Sequence, residues 1–371
     1  MGTDSIIYIR TDGNFKIATG HLVRCLCIAQ ALESMVKSVC FLVSDTTSSN
    51  LLKDIARSFF ADYSFSFEVK ILHSAVYNNI ELELDELKSF LTKVSTTFAS
   101  KQTCNTLYHK PVLLIDSYFV TKTYLESLQN YAKTAYIDDL RAFDYKVNLI
   151  VNYDVIPLSK EIEYKQAYTK ADTLLLGALY TPLRRQFQNQ TVSLRADIQN
   201  ILVTTGGSDP YNFTETVLAN LLPCSPHFHF HIVVGKLFKN TVPLENLAKQ
   251  HPQIHLHYNV SDMASLMKEC DYAISAAGTT LYELCALGIP AISFTMADNQ
   301  IIMAETFDET GAVIYAGDIR TEETSQVCDH IHAHLKSLLL DSEKRAAQHQ
   351  TMRLQVDGNG AIKIAEAICN L

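Results

Sequence analysis

The chain has 371 residues, 47% of them hydrophobic, and a net charge of −9. That length exceeds what one hydrophobic core usually serves, so two domains are expected. The acidic balance excludes a polyanion partner such as nucleic acid, whose phosphates require a basic surface, so an anionic ligand has to be held locally.

The N-terminal segment "MGTDSIIYIR" holds only a short apolar run before an arginine, so neither a signal peptide nor a membrane span is expected. The first strand, "IIYI", leads into a polar loop ending in Thr19-Gly20-His21, where an apolar-periodic helix begins. Further strands are expected at "SVCFLVS", "FEVKIL", "PVLLID", "TAYID" and "VNLIV", with helices starting near Gly20, Asn50, Glu81 and Thr121. The stretch 47–110 lacks glycine and proline and shows no evident chemistry. After a polar connection, "YTPLRRQFQNQTVSLRADIQ", the pattern restarts with "NILVTTGG", "FHFHIVVG", "QIHLHY", "DYAISAAG" and "PAISFT". Strands alternating with helices predict an α/β fold. Two doubly wound, Rossmann-like domains with parallel sheets are expected, facing each other across an interdomain cleft. The expected boundaries are 1–185 for an N-terminal domain and 195–371 for a C-terminal one, whose last helix is a candidate to pack back on the N-terminal domain.

The nine cysteines, scattered and odd in number, fit a reduced cytoplasmic protein better than a disulfide framework or a zinc site. Cys25 and Cys27 are expected to be core thiols. The histidine-rich strands invite a metal reading. However, His227, His229 and His231 would spread over about 13 Å of one strand face, with no carboxylate close in sequence, so no metal is expected.

Ligands in open α/β sheets bind outside the carboxyl ends of the strands, and there the chain places its candidate chemistry. His21 opens a helix after a strand, and Asp12, Asp116 and Tyr118 stand at strand ends as possible neighbours. A histidine with a carboxylate partner suits proton transfer at neutral pH. Asp138 and Asp139 also close a strand. In the second half, Gly206 and Gly207 let the backbone approach a ligand, and Ser208 and Asp209 either join them or cap the next helix. The run Ala276-Ala277-Gly278-Thr279-Thr280 at a helix start makes an anion cradle. Glu283, one turn on, either accepts hydrogen bonds from a ribose or is a first-turn acid favoured by the helix dipole. Asn299 and Gln300 are amides able to contact a phosphate or a sugar. Diphosphate at the helix tip and ribose on the glutamate together describe a nucleoside diphosphate.

The segment "YIRTDGNFKIATGHLVRCLCIAQAL" resembles the N-terminal signature of the pseudaminic-acid pathway UDP-sugar hydrolases. That superfamily includes spore-coat polysaccharide proteins and, more distantly, MurG-type glycosyltransferases. The likeness continues through "LLIDSY", "YIDDL", "LIVNYD", "LGALYTPLRRQF", "VTTGGSDPYNFT", "SAAGTTLYELCALGIPAISF", "DNQ" and "RLQVDGNGAIKIAEAI", leaving only the stretch around 47–110 unmatched. The resemblance implies a glycosyltransferase-B-like fold and hydrolysis of UDP-2,4-diacetamido-2,4,6-trideoxy-β-L-altropyranose without a cofactor. It makes His21 the catalytic residue and sets Tyr118 in the sugar site, with Gly20 and Arg24 of the signature among the substrate contacts. Gly206, Gly207, Ser208, Asp209 and the Gly278–Glu283 segment match the UDP site, with uracil against Tyr258–Val260. One position departs: the family shows Gly-x-Gly-His, whereas this chain has Ala18-Thr19-Gly20-His21. If the first glycine needs a positive φ, alanine is disfavoured there and the sugar preference can differ.

Two rival readings stay open. A MurG-type glycosyltransferase would need an acceptor site, and a non-catalytic UDP-sugar-binding protein would bind without turnover. The expected partner is a small-molecule UDP-sugar, with no nucleic acid and no membrane, for a monomer or weak homo-oligomer.

Overall fold

The computed structural model describes residues 3–59, 66–101, 110–190, 192–224 and 227–371. The chain divides into two compact units, Met1–Arg185 with Asn359–Leu371, and Gln186–Gly358.

In the first unit the elements run β1 (Thr3–Thr11), α1 (Gly20–Leu32), β2 (Val36–Val43), α2 (Thr46–Phe59), β3 (Phe67–Ile71), α3 (Leu84–Lys101), β4 (Val112–Asp116), α4 (Lys122–Leu128), β5 (Lys133–Ile137), β6 (Leu149–Asn152), α5 (Glu161–Gln166) and β7 (Thr173–Leu176). The strands form one seven-stranded sheet in the order β3-β2-β1-β4-β5-β6-β7, and every pair is parallel. Strands such as "VCFLV" and "VLLID" are apolar almost throughout because helices cover both faces of a parallel sheet. Helix α1 buries Leu22, Leu26, Ile28 and Leu32 completely, each contributing roughly 1.5–3 kcal/mol. Cys25 and Cys27 of this helix are both buried and form no disulfide. Of the other cysteines, Cys104 lies outside the described residues.

The second unit contains β8 (Asn200–Thr204), α6 (Phe213–Leu221), β9 (His229–Val234), α7 (Val242–Gln250), β10 (Ile254–Tyr258), α8 (Met263–Glu269), β11 (Tyr272–Ala276), α9 (Thr279–Leu287), β12 (Ala291–Thr295), α10 (Asp298–Glu309), β13 (Ile314–Asp318), α11 (Thr324–Leu340) and α12 (Ser342–Gln355). Its six-stranded parallel sheet has the order β10-β9-β8-β11-β12-β13. Phe213, Phe230, Phe294, Val327 and Ile331 fill one face of its core. A final helix, α13 (Gly360–Cys369), belongs to the first unit, where Ala361, Ile364, Ala365 and Ile368 join the core under α1. Each unit is therefore a Rossmann-like α/β domain, as the alternation of strands and helices predicts.

In each sheet the chain first builds outward on one side of a central strand and then restarts on the other. The reversal falls between β1 and β4 in the first unit and between β8 and β11 in the second. Loops leaving those paired strands open the crevice where α/β sheets take ligands. Two strands escape the sequence reading. Strand β7 is a half-exposed edge of four residues, and β13 carries Gly317 at φ 132° inside its run. Neither presents the long apolar run that marks the others.

Candidate functional site

In the first unit, the loops after β1 and β4 bring His21 and Asp116 together. His21 is the second residue of α1, and its Nδ1 lies 2.6 Å from Asp116 Oδ1 at the end of β4. With a proton on Nδ1 donated to that carboxylate, Nε2 is the nitrogen left to accept one, and Arg24 Nη2 also stands 3.1 Å from Nδ1. Arg24, one turn along α1, donates from Nε to Asp116 Oδ2 at 2.7 Å and from Nη2 to Oδ1 at 2.5 Å. Burial alone would raise the pKa of Asp116, but Arg24 and His21 outweigh it and hold the carboxyl well below the usual range.

The network closes through Asp139. Arg24 Nη1 donates to both Asp139 oxygens at 3.0 and 2.8 Å and to Tyr153 Oη at 2.5 Å. Burial, together with the nearby Asp139 carboxylate, pushes the Tyr118 phenol up to about 12. Its ring meets the His21 ring edge-on, with centroids 4.4 Å apart at 72°. Arg24, for which a substrate contact is expected, is 8% exposed, and its guanidinium bonds Asp116, Asp139 and Tyr153. Gly20 begins α1 with open space around its Cα.

Asp12 lines the same pocket as His21 and Asp116 without bonding His21. Its carboxylate accepts from Arg10 Nη1 at 2.6 Å, from Ser44 N at 2.7 Å and from Ser44 Oγ at 2.9 Å. Arg10 in turn forks onto Glu83, with both bonds at 2.7 Å, and Tyr124 donates to the same carboxylate. This buried strut fixes the start of the loop that carries His21. Asp138, beside Asp139, instead accepts from Tyr145, Tyr168 and two backbone N–H groups of the following turn.

In the second unit the predicted residues gather after β8 and β11. Gly206 holds φ 82°, which suits glycine, and its N–H donates to Thr204 Oγ1 at 3.1 Å. Gly235, at the end of β9, supports this turn so closely that a Cβ would stand 2.5 Å from the Gly206 carbonyl oxygen and 2.4 Å from that of Gly207. Ser208 is half-buried in the turn. Asp209 is committed to capping α6, accepting from Phe213 N and Thr214 N at 2.9 Å each. Ala277 leads to Gly278, the N-cap of α9, which provides no side-chain hydrogen bond to the first turn. The N–H groups of Thr279 and Thr280 thus open a helix whose positive end lacks a side-chain cap. Glu283 follows, half-buried, on the same helix.

The remaining predicted residues follow β12 and β10. Gln300 turns inward, its Oε1 accepting from Met296 N at 2.9 Å, while Asn299 is exposed in the first turn of α10. Tyr258 and Val260 flank the end of β10, the outer strand of the sheet, where Tyr258 Oη donates to Glu245. The histidines of β9 and β10 bond one another, His229 to His255 at 3.0 Å and His231 to His257 at 3.1 Å. Among the described residues no group of three or more His, Cys, Asp or Glu is arranged to hold a metal ion. Likewise, no helix among them is long and apolar enough to cross a membrane.

Sequence reasoning left out several groups around His21. Asp139 reads in the sequence only as a strand-end carboxylate, and Tyr153 only as part of "LIVNYD", yet both bond Arg24. Ile17, Tyr77 and Phe119, which also line the pocket, carried no signal of their own.

Residues 200–366 match the family model of the glycosyltransferase family 28 C-terminal domain. The chain is 28% identical over 208 residues to the spore coat polysaccharide biosynthesis protein SpsG of Bacillus subtilis, covering 55% of this chain and 58% of that protein. It is 29% identical over 185 residues to the pseudaminic acid cytidylyltransferase and UDP-2,4-diacetamido-2,4,6-trideoxy-beta-L-altropyranose hydrolase of Helicobacter pylori. That match covers 49% of this chain and 31% of the relative. The chain thus spans less than two thirds of either relative. Among solved structures, Acinetobacter baumannii MurG superposes with a TM-score of 0.64 at 14% identity, covering 99% of this chain and 100% of that one. The fold is therefore glycosyltransferase-B-like, and the chain is similar to nucleotide-sugar proteins of that architecture.

Proposed function

We propose that the protein is a UDP-sugar hydrolase acting on UDP-2,4-diacetamido-2,4,6-trideoxy-β-L-altropyranose. The observation that carries this reading is the His21–Asp116 pair, which engages Nδ1 of the imidazole and leaves Nε2 to take a proton beside a small pocket. The match to the Helicobacter pylori protein, whose name includes that hydrolase, supports the choice of sugar. Water gives a proton to His21 Nε2 as its oxygen bonds the anomeric carbon, and the carbon–oxygen bond to UDP breaks with inversion. UDP takes both electrons of that bond. The first turn of α9 and the Gly206–Gly207 turn hold the diphosphate, and their backbone N–H groups stabilise the departing charge in place of a metal.

The family 28 match favours a second reading, transfer of the sugar to an acceptor. UDP release in the absence of any acceptor separates the two, and UDP binding without turnover would mark a non-catalytic protein. In ¹⁸O-water the label is expected in the free sugar, and label in UDP would overturn attack at carbon. His21→Ala is expected to lower kcat by at least about 10²-fold with UDP binding retained. Turnover like that of the wild type would remove His21 from the mechanism.

A further inference from the structure

The stretch that looked empty of chemistry in sequence reaches the His21 pocket. Tyr77 lies in the loop between β3 and α3 and lines that pocket with His21, and its ring meets Phe119 edge-on, 5.8 Å between centroids at 83°. The loop is tied down on both sides of Tyr77. Leu72 N donates to Val43 O at 2.9 Å, and Asn79 N to Val76 O at 2.9 Å. Glu86 of α3 accepts from His73 N, Ser74 N and Ser74 Oγ at 3.1, 2.8 and 2.6 Å. Tyr77 is therefore presented on a preorganised loop, so little ordering cost falls on ligand binding.

The lining of the pocket is chemically uneven. Ile17, Tyr77, Tyr118 and Phe119 offer apolar and aromatic surface, and His21, Ser117, Asp12 and Asp116 supply the polar groups, with no lysine or arginine among the described lining side chains. Such a wall accepts C–H and methyl groups, whereas a ligand carboxylate set against Tyr77 and Phe119 loses its water and meets the like charges of Asp12 and Asp116.

We propose that Tyr77, backed by Phe119, is a specificity-determining residue that selects sugars presenting C–H or methyl groups to this wall and rejects sugars bearing a carboxylate there. The proposal deepens the hydrolase reading and rests on it for its kinetic test. The measurement is kcat/KM for UDP release from the preferred UDP-sugar and from UDP-glucuronate, for wild type, Tyr77→Ala, Tyr77→Leu and Tyr77→Phe. Tyr77→Ala is expected to lose about tenfold in kcat/KM on the preferred sugar, chiefly through KM, and to narrow the ratio between the two substrates by a similar factor. Inhibition by UDP stays unchanged, and Tyr77→Phe restores discrimination lost in Tyr77→Leu. An unchanged ratio in folded Tyr77→Ala overturns the proposal, and Tyr77→Leu carries the same test if the alanine variant does not fold. If the wild type releases UDP from no UDP-sugar, the hydrolase reading fails separately. Saturation-transfer NMR with UDP-N-acetylglucosamine then decides: selective loss of the sugar signals in Tyr77→Leu, with uridine signals kept, supports the proposal. Unaltered sugar signals overturn it.

Discussion

Ala18 holds φ at 58°, in the left-handed region where a Cβ crowds the following carbonyl at a cost of about 1 kcal/mol or more. The loop around it imposes that shape. Asn14 Oδ1 accepts from Lys16 N at 2.8 Å and Ile17 N at 3.1 Å, and Asn14 and Ala18 form an antiparallel bridge. Where the family pattern has glycine, this chain thus holds an alanine under backbone strain. Ala18→Gly is expected to stabilise the protein by about 1 kcal/mol, raising Tm by a few degrees in thermal unfolding. A lower Tm would show that position 18 does not occupy the left-handed region in solution. This much was legible, because a glycine missing from a turn is a local signal. The partnership of His21 with Asp116 was legible only as residue types at strand ends. Which carboxylate meets the ring depends on strand order, and the placement of β4 beside β1 decides for Asp116 over Asp12.

At the scale of elements, strand ends beside a reversal of sheet order carry most of the predicted residues. The strands themselves were readable from their apolar runs, and the glycine turns from their composition. What stayed hidden were the contacts that one element makes to hold another in place. Gly235 closes β9 and reads as an ordinary turn glycine, yet it packs on the carbonyl oxygens of Gly206 and Gly207 after β8. Overpacking there costs about 1–3 kcal/mol or displaces the turn. On the proposed assignment, Gly235→Ala is expected to weaken UDP binding by about tenfold in calorimetry while His21 and its partners are untouched. Unchanged affinity would take the Gly206–Gly207 turn out of the UDP site. Glu83 was hidden for a similar reason. It sits in a stretch without recognisable chemistry, and its role appears only once Arg10 of β1 reaches it inside the core.

At the scale of the whole molecule, the two units share one architecture, but the first is not continuous in the chain. Helix α13 comes after the entire second unit and lays Ala361, Ile364, Ala365 and Ile368 into the first unit's core against α1. Ending the chain at Gly358 removes those side chains, each contributing roughly 1–3 kcal/mol of burial. The truncated protein is expected to lose hydrogen-exchange protection across residues 3–185 while residues 186–358 retain theirs. Equal protection in both units would show that the first unit's core closes without α13. During translation the same arrangement imposes a delay. Residues 186–358 take roughly 10–30 s to synthesise at about 5–20 residues per second. Through that interval the helix bearing His21 has one apolar flank open to solvent. The first unit to leave the ribosome is then the last to be completed, and chaperones have their opportunity to bind there.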